Sequence, residues 1–300
     1  MKTSSLLKFA AFGAGTVLFG WRKPIIGAVI ITDRCNLSCR HCAVNNITSV
    51  IYPYSQVRRE MQQLYGQGVR ILFFFGGEPF LWQDSGKTLR DLTAEAKAMG
   101  FLIVNVVTNG MFPIDLPGAD MVMVSLDGGR EKHNEIRGVT YDRILDNIRS
   151  AASPNICLYM AINRINKDEI EQVCRVARSE PNVRAVSFNL HTPYPGTEEL
   201  SLSAAEKARC LQEVERMMDL GMPVLNLRSA FPYIIRNDFP VPCYQCAIIE
   251  DGKQYVCGRC IEIPDLCSRC GYMFAAEYSL VFQGKLPVIL DMLRTYLKYI

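Results

Sequence analysis

Three cysteines, Cys35, Cys39 and Cys42, stand at C-x3-C-x2-C spacing in the run Cys35-Asn-Leu-Ser-Cys39-Arg-His41-Cys42. Thiolates so close in sequence can converge from one loop on three irons of a 4Fe-4S cube, leaving the fourth iron without a protein ligand. Clusters that only carry electrons are closed by four cysteines. A set of three therefore implies an open iron, free to bind a cofactor or substrate. The competing chemistry is a partial zinc site, although zinc ordinarily takes four ligands.

Six further cysteines form three C-x2-C pairs near the C-terminus: Cys243/Cys246, Cys257/Cys260 and Cys267/Cys270. The first two pairs also have the C-x2-C-x10-C-x2-C spacing of a tetrathiolate zinc or rubredoxin-like ribbon. Six ligands fall short of two full clusters, so one auxiliary 4Fe-4S cluster is the expectation, with zinc as the alternative. Cys157, Cys174 and Cys210 lie within apolar strand or helix patterns and read as buried core thiols.

The composition suits a metalloenzyme of a reducing compartment. The chain has 300 residues, 49% of them apolar and 21% charged, enough for a full core and without a sign of disorder. Its 12 cysteines are grouped rather than spread as braces, which argues against a secreted disulfide scaffold and for a cytoplasmic location. A formal net charge of +3, with no interleaving of basic and stacking aromatic residues, gives no nucleic-acid surface.

The N-terminus carries Lys2 and Lys8, then an apolar run from Phe9 to Trp21, then Arg22-Lys23. A bilayer span needs about 20 apolar residues, so this run is too short to cross alone, and no A-x-A cleavage site follows it. Two readings stay open: a helix packed on the underside of the fold, or an interfacial membrane contact.

The elements that must position these groups alternate short β-branched strands with amphipathic helices, the pattern of a parallel sheet. Strands are expected near Ile25–Ile31, Arg70–Phe75, Leu102–Val107, Met121–Ser125, Ile156–Ala161 and Ala185–Leu190. Leu89, Leu92, Ala96 and Met99 mark a crossover helix stopped by Gly100. A capping box at Ser203-x2-Glu206 opens another, carrying Leu211, Val214 and Met218, and Asn166 to Glu169 offers a start for the helix bearing Ile170 and Val173. Six such strands give an α/β fold, a partial (β/α)6 TIM-like barrel with a small cysteine-rich C-terminal extension. The expected divisions are 1–24, 25–226 and 227–300. Functional residues then belong at the C-terminal ends of the strands, and the cysteine loop does follow the first of them.

With Gly76-Gly77-Glu78-Pro79 after the second strand, the cysteine loop resembles that of the radical S-adenosylmethionine superfamily over roughly residues 25 to 226. The resemblance implies that Cys35, Cys39 and Cys42 ligate the cluster, with its open iron chelating S-adenosylmethionine. It also implies that Gly76, Gly77, Glu78 and Pro79 hold the methionine ammonium, and that His41 packs by the adenine. A solvent-facing loop residue is the plainer reading of His41. Thr108-Asn109-Gly110, Ser125-Leu126-Asp127-Gly128, His133-Asn134 and Ile136-Arg137-Gly138 resemble segments of relatives that carry a SPASM or twitch extension. By that likeness Thr108, Asn109, Ser125 and Asn163 reach the cofactor and Asp127 faces the substrate, although each equally suits a cap or turn. His133 reads as a surface residue.

His191-Thr-Pro-Tyr194-Pro-Gly196 ends the sixth strand where a barrel presents substrate-binding groups, so His191 and Tyr194 are candidates, with plain turn chemistry as the alternative. Ala247 to Val256 reads as a hairpin turned at Asp251-Gly252, and the Gly252-x4-Cys257 element resembles the start of a SPASM domain.

The function implied by the resemblance is reductive cleavage of S-adenosylmethionine to a 5′-deoxyadenosyl radical that abstracts hydrogen from a substrate, with a reductant such as flavodoxin or ferredoxin. The SPASM-like extension points to a peptide or protein substrate. A lipid or isoprenoid at the membrane surface is the second reading, suggested by Phe9–Trp21 and the basic-apolar tail Leu286–Ile300. A non-enzymatic cluster or zinc-binding interaction protein is the third.

Overall fold

The computed structural model describes residues 3–42, 48–152, 155–241 and 243–299. Lys2 and Ile300 lie outside the described residues, as do the side chains of Lys8 and Phe9.

Six parallel strands follow the expected order: β1 Ile26–Ile30, β2 Ile71–Phe75, β3 Ile103–Thr108, β4 Met121–Ser125, β5 Ile156–Ile162 and β6 Val183–Leu190. Their side chains split by alternation, because successive residues of a strand point to opposite faces. Leu72, Phe74, Val104, Val106, Val122 and Val124 point outward into the main core, where they meet the helices. Ile71, Phe73, Ile103, Met121 and Met123 belong instead to clusters on the inner face. Burial on both faces explains the near-continuous hydrophobicity of these runs. Each fully buried large side chain contributes about 1.5–3 kcal/mol.

The crossovers are α2 Tyr54–Gln67, α3 Leu89–Met99, α4 Arg130–Arg137, α5 Tyr141–Arg149, α6 Ile170–Ser179 and α7 Ala204–Asp219. Local chemistry fixes their ends. A Thr88/Asp91 capping box opens α3, and Gly100, at φ +101°, closes it by donating to the Ala96 and Lys97 carbonyls. The expected Ser203/Glu206 capping box opens α7, whose buried face includes Met217 rather than Met218.

The C-terminal hairpin forms as expected, with β7 Cys246–Glu250 antiparallel to β8 Lys253–Val256. It does not stand apart from the barrel. β7 pairs in parallel with β1, from Ile26↔Cys246 to Ile30↔Glu250, so the sheet order is β8-β7-β1-β2-β3-β4-β5-β6. A short helix, α8 Phe231–Arg236, precedes it. The chain ends in α9 Met273–Phe282 and α10 Leu286–Tyr299. α9 packs along β6, where Met273 N donates to Asn189 Oδ1 at 2.7 Å, and Phe274 meets Phe73 of β2 edge-on with centroids 5.9 Å apart.

α1 Thr3–Phe19 packs on α9 through Phe12 and Phe282, centroids 5.7 Å apart. Its last turn leaves Leu18 and Phe19 72% and 74% exposed. Among the described residues no helix is long and apolar enough to cross a membrane.

Candidate functional site

The cysteine loop and the double-glycine turn are locked together by backbone contacts. Gly77 N donates to Thr32 O at 2.8 Å and Glu78 N to Arg34 O at 2.9 Å. A Cβ on Gly76 would lie 2.2 Å from Thr32 O, and one on Gly77 would lie 2.3 Å from Arg34 O. Only glycine permits so close an approach, and the contact fixes where Cys35 leaves β1.

Gly76 and Gly77, with Cys35, Cys39 and Cys42, line a cavity of about 1010 Å³ that runs along the inner face of the barrel from the C-terminal ends of the strands to their first residues. Glu78 and Pro79 do not. The Glu78 carboxylate is fully buried behind the turn, accepting from Thr108 Oγ1 (2.7 Å), Phe80 N (3.1 Å) and Asn109 N (2.7 Å). Burial pushes its pKa up to about 7 against the pull of those donors. The expectation that Glu78 and Pro79 face a ligand is therefore corrected: the carboxylate pins the β2 turn to the end of β3, and Pro79 is buried at the start of a short 3-10 turn.

Asn109 and Arg137 aim donors at the thiols. Asn109 Nδ2 lies 3.8 Å from Cys35 Sγ and 2.8 Å from Asn36 Oδ1, and Arg137 Nη1 lies 3.7 Å from Cys39 Sγ. Arg40 N donates to Ile136 O at 3.0 Å, tying the loop to α4. Burial raises the Cys39 thiol to about 11, with Arg137 working against it. A cluster would replace those protons with iron, and N–H donors beside the sulfurs are the surroundings such ligands use. Thr108, Asn109 and Ser125 line the cavity as expected.

Asp127 does not line it, which corrects its expected place at the substrate. Its carboxylate is fully buried, takes Arg137 Nε at 2.5 Å and Ala161 N at 3.0 Å, and lies 3.6 Å from His41 Nε2. Burial, the largest influence, would raise its pKa, but Arg137, His41, His133 and the Ala161 amide together hold it below the ordinary value. Asp127 is a positioning residue. It orients Arg137, which in turn reaches Cys39 and His41 Nε2 (3.3 Å).

His41 lines the cavity but is largely buried rather than solvent-facing, and burial lowers its pKa to about 4. Because Nε2 accepts from Arg137, the neutral ring carries its proton on Nδ1. Among the described residues that buried atom has no hydrogen-bond partner.

Two further expectations change. His133 is fully buried, with Nδ1 accepting from Asp127 N at 3.1 Å and Nε2 3.0 Å from Thr140 Oγ1, because α4 folds back over β4. Asn163 is fully buried away from the cavity and closes its own turn, accepting from Ile165 N at 2.9 Å and donating to Ala161 O at 3.2 Å. His191 does face the cavity, its Nε2 3.1 Å from Thr197 O, and burial lowers its pKa. Tyr194 also faces it, with its hydroxyl 3.1 Å from that of Tyr272, a residue the sequence did not single out.

The same cavity reaches the second cysteine group. Cys246, Cys257, Cys260, Cys267 and Cys270 line it, and Cys243 lies behind with its sulfur 3.5 Å from that of Cys246. Among the described residues no three His, Cys, Asp or Glu side chains are drawn together around a point that a single metal ion could fill. In a cube each thiolate takes a different iron, so its ligands stand farther apart than those of one zinc ion. Both groups suit iron-sulfur clusters in donor type and in access to the cavity. Arg137 is the functional side chain that sequence reasoning passed over. Its signal was present in Ile136-Arg137-Gly138, but nothing local to that run shows that the guanidinium turns towards Cys39.

Residues 29–177 match the Radical SAM superfamily. The chain is 26% identical over 257 residues to a probable GTP 3′,8-cyclase of Methanocella arvoryzae, covering 76% of this chain and 80% of that protein. It is 29% identical over 165 residues to the sporulation killing factor maturation protein SkfB of Bacillus subtilis, covering 50% of this chain and 38% of that one. In fold it resembles Streptococcus suis SuiB bound to its precursor peptide SuiA, with a TM-score of 0.64 at 14% identity over 96% of this chain and 72% of that one.

Proposed function

The chain is an enzyme of the radical S-adenosylmethionine superfamily, its domain spanning residues 29–177, and we propose that Cys35, Cys39 and Cys42 hold its catalytic 4Fe-4S cluster in the cavity shared with the second cysteine group. When bound there, the cluster would supply one electron to S-adenosylmethionine, giving methionine and a 5′-deoxyadenosyl radical able to abstract hydrogen from substrate.

The carrying observation is the junction of the cysteine loop with Gly76-Gly77, where added Cβ atoms would collide with the Thr32 and Arg34 carbonyls. That junction presents the three thiols and the glycine backbone to one space. Around it, Asn109 and Arg137 stabilise thiolate charge by N–H donation. His41 presents its ring to the cavity, and Ser125 and His191 border the space where substrate would lie. Asp127, His133 and Glu78 act behind this layer, fixing orientation.

Five cysteines of the C-terminal group face the same cavity. This supports an auxiliary 4Fe-4S cluster bordering the substrate space, preferred to a zinc ribbon, which would need no access to it. The relatives act, by their names, on GTP and on a peptide, so they do not agree on a substrate. The likeness to SkfB and SuiB favours a peptide or protein. An external one-electron donor completes the system.

The test is anaerobic reconstitution with iron and sulfide, a reductant and S-adenosylmethionine. Wild type should form 5′-deoxyadenosine, and the triple variant Cys35→Ala, Cys39→Ala, Cys42→Ala should form none while retaining C-terminal metal. Undiminished 5′-deoxyadenosine from the triple variant would overturn the assignment of the catalytic loop.

A further inference from the structure

From Phe9 to Phe19 the only polar residue of α1 is Thr16. A helix apolar on every side is not covered by packing one side on α9. Its end is a built tip. Gly20, at φ +65°, closes the helix by donating to Thr16 O at 3.0 Å, and the chain turns back. Trp21 folds over Gly15, where an added Cβ would lie 2.4 Å from its ring, and stacks on Phe19 with centroids 6.4 Å apart. Leu18 and Phe19 are left exposed at the apex.

α10 continues this surface. Val17 lies against Gly284, just before α10, where an added Cβ would be 2.9 Å from its side chain, so the tip and the first turn of α10 are neighbours. Leu286, Leu290, Arg294 and Lys298 follow one another at i+4 spacing, along a single ridge of the helix surface, and all four are exposed. Leu293 is exposed beside them. The ridge is apolar in its first two turns and basic in its last two. Val288 and Tyr296, on other sides of α10, pack into the body of the protein.

Exposed charge on these segments has one sign. Arg22, Lys23, Arg294 and Lys298 are exposed, whereas Asp291 of α10 accepts from Ser229 N at 2.9 Å and is partly buried. Single exposed apolar side chains, such as Val139 and Leu220, are ordinary on a protein surface. Leu18, Phe19, Trp21, Leu286, Leu290 and Leu293 are gathered on two neighbouring segments instead, and such a patch marks an interaction site. Apolar tips with a tryptophan at their base and Lys or Arg behind them complement the headgroup boundary of an anionic bilayer. Leu286 and Arg294 are about 12 Å apart along the helix. A tilted α10 can therefore sink its first turns about 5–10 Å while its basic end stays among the phosphates.

The position of this surface fixes the orientation of the enzyme. Gln245 Nε2 donates to Trp21 O at 3.3 Å, and Gln245 O accepts from Ile25 N and Ile26 N at the start of β1. Tyr296 packs with Ile26, Ile71 and Ile103, the first residues of β1, β2 and β3. The surface therefore lies where the strands begin, whereas the Cys35–Cys42 loop follows the other end of β1.

We propose that the tip of α1 and the outer ridge of α10 dock the protein on an anionic bilayer surface, with the cysteine loop turned away from the lipid. Docking in this sense leaves the cysteine-loop end of the barrel in water, where a peptide or protein substrate can reach it. The surface shares no residue with the cysteine loop, so the proposal stands apart from the radical S-adenosylmethionine reading.

The test uses the full chain and vesicles of phosphatidylcholine with or without phosphatidylglycerol. Wild type should float with the phosphatidylglycerol vesicles, bind phosphatidylcholine alone more weakly by about tenfold or more, and lose the difference as salt is raised. The chain has two tryptophans. Trp82 is 1% exposed and Trp21 43%, so quenching by phosphatidylcholine brominated along its acyl chains reports on Trp21. Wild type should be quenched and Trp21→Phe should not. Leu18→Glu with Phe19→Glu should weaken vesicle binding about tenfold or more, and Arg294→Gln with Lys298→Gln about thirtyfold. Both double variants should keep the circular dichroism of wild type and its 5′-deoxyadenosine formation. Equal binding to the two kinds of vesicle, no quenching of wild type, or unchanged binding in both folded variants would overturn the proposal. So would a wild-type dimer that ignores vesicles and that Leu18→Glu with Phe19→Glu converts to monomer, because a second copy of the chain would then cover this face.

Discussion

Replacing Asp127 by Asn should destabilise the protein by about 3–5 kcal/mol, because it leaves the Arg137 guanidinium buried without its counter-charge. The side chains of Asp127 and Arg137 are 0% and 9% exposed, and the carboxylate also receives Ala161 N. Asparagine can keep that amide bond through its carbonyl oxygen, but it presents a neutral oxygen, or its own N–H groups, to Arg137. For a chain of this size the loss corresponds to a fall in Tm of about 5–8 °C. The deficit should be smaller in the cluster-loaded protein, since Arg137 Nη1 is 3.7 Å from Cys39 Sγ and a ligating thiolate supplies some of the missing negative charge. Thermal unfolding of metal-free and reconstituted forms measures both quantities. Adding Arg137→Met to Asp127→Asn should recover part of the loss, because an apolar side chain in that place needs no counter-charge. A deficit below about 1 kcal/mol in the metal-free protein, with no recovery in the double variant, would refute the reasoning that this pair is a buried charge couple.

Glu277, buried and raised to about 7 from 4.5 chiefly by burial, keeps a proton in the folded state that the unfolded chain releases. Its contribution is therefore full below pH 4.5 and is lost as pH rises towards 7, by about 3 kcal/mol. Asn226 Nδ2 and Leu227 N both donate to Oε1, so Glu277→Gln preserves the bonds and should flatten the decline in Tm between pH 5 and 8. Gly77→Ala should abolish 5′-deoxyadenosine formation with little change in circular dichroism, since its Cβ would sit 2.3 Å from Arg34 O and push the cysteine loop away. Cys257→Ser with Cys260→Ser should lower the iron content of the anaerobic protein from about eight atoms per chain to about four, and impair substrate turnover more than uncoupled cofactor cleavage. Four irons and one zinc in wild type would instead identify a structural ribbon.

What the sequence determined by itself was local. Cys35, Cys39 and Cys42 share one loop whatever surrounds them, the Ser203/Glu206 capping box spans one helical turn, and alternation along Ile71–Phe75 sets which side chains face the helices. Spacing carries such information because the partners lie within a few residues of one another. The tertiary structure decided which charged and polar groups are buried, and so which of them act on a ligand and which on one another. Asp127 suits a substrate-facing acid equally well until α4 turns Arg137 onto it, and Glu78 suits a ligand contact until the end of β3 supplies Thr108 Oγ1 and Asn109 N. Burial is set by chain segments far apart in sequence. Pairing of β7 with β1 joins residues such as Ile26 and Cys246, which brings the second cysteine group to the cavity of the first. The cavity is likewise a property of closure: β8 and β6 are the two edges of the eight-stranded sheet and do not pair with each other, and α9 packs along β6, so the shape of the space depends on segments far apart in sequence.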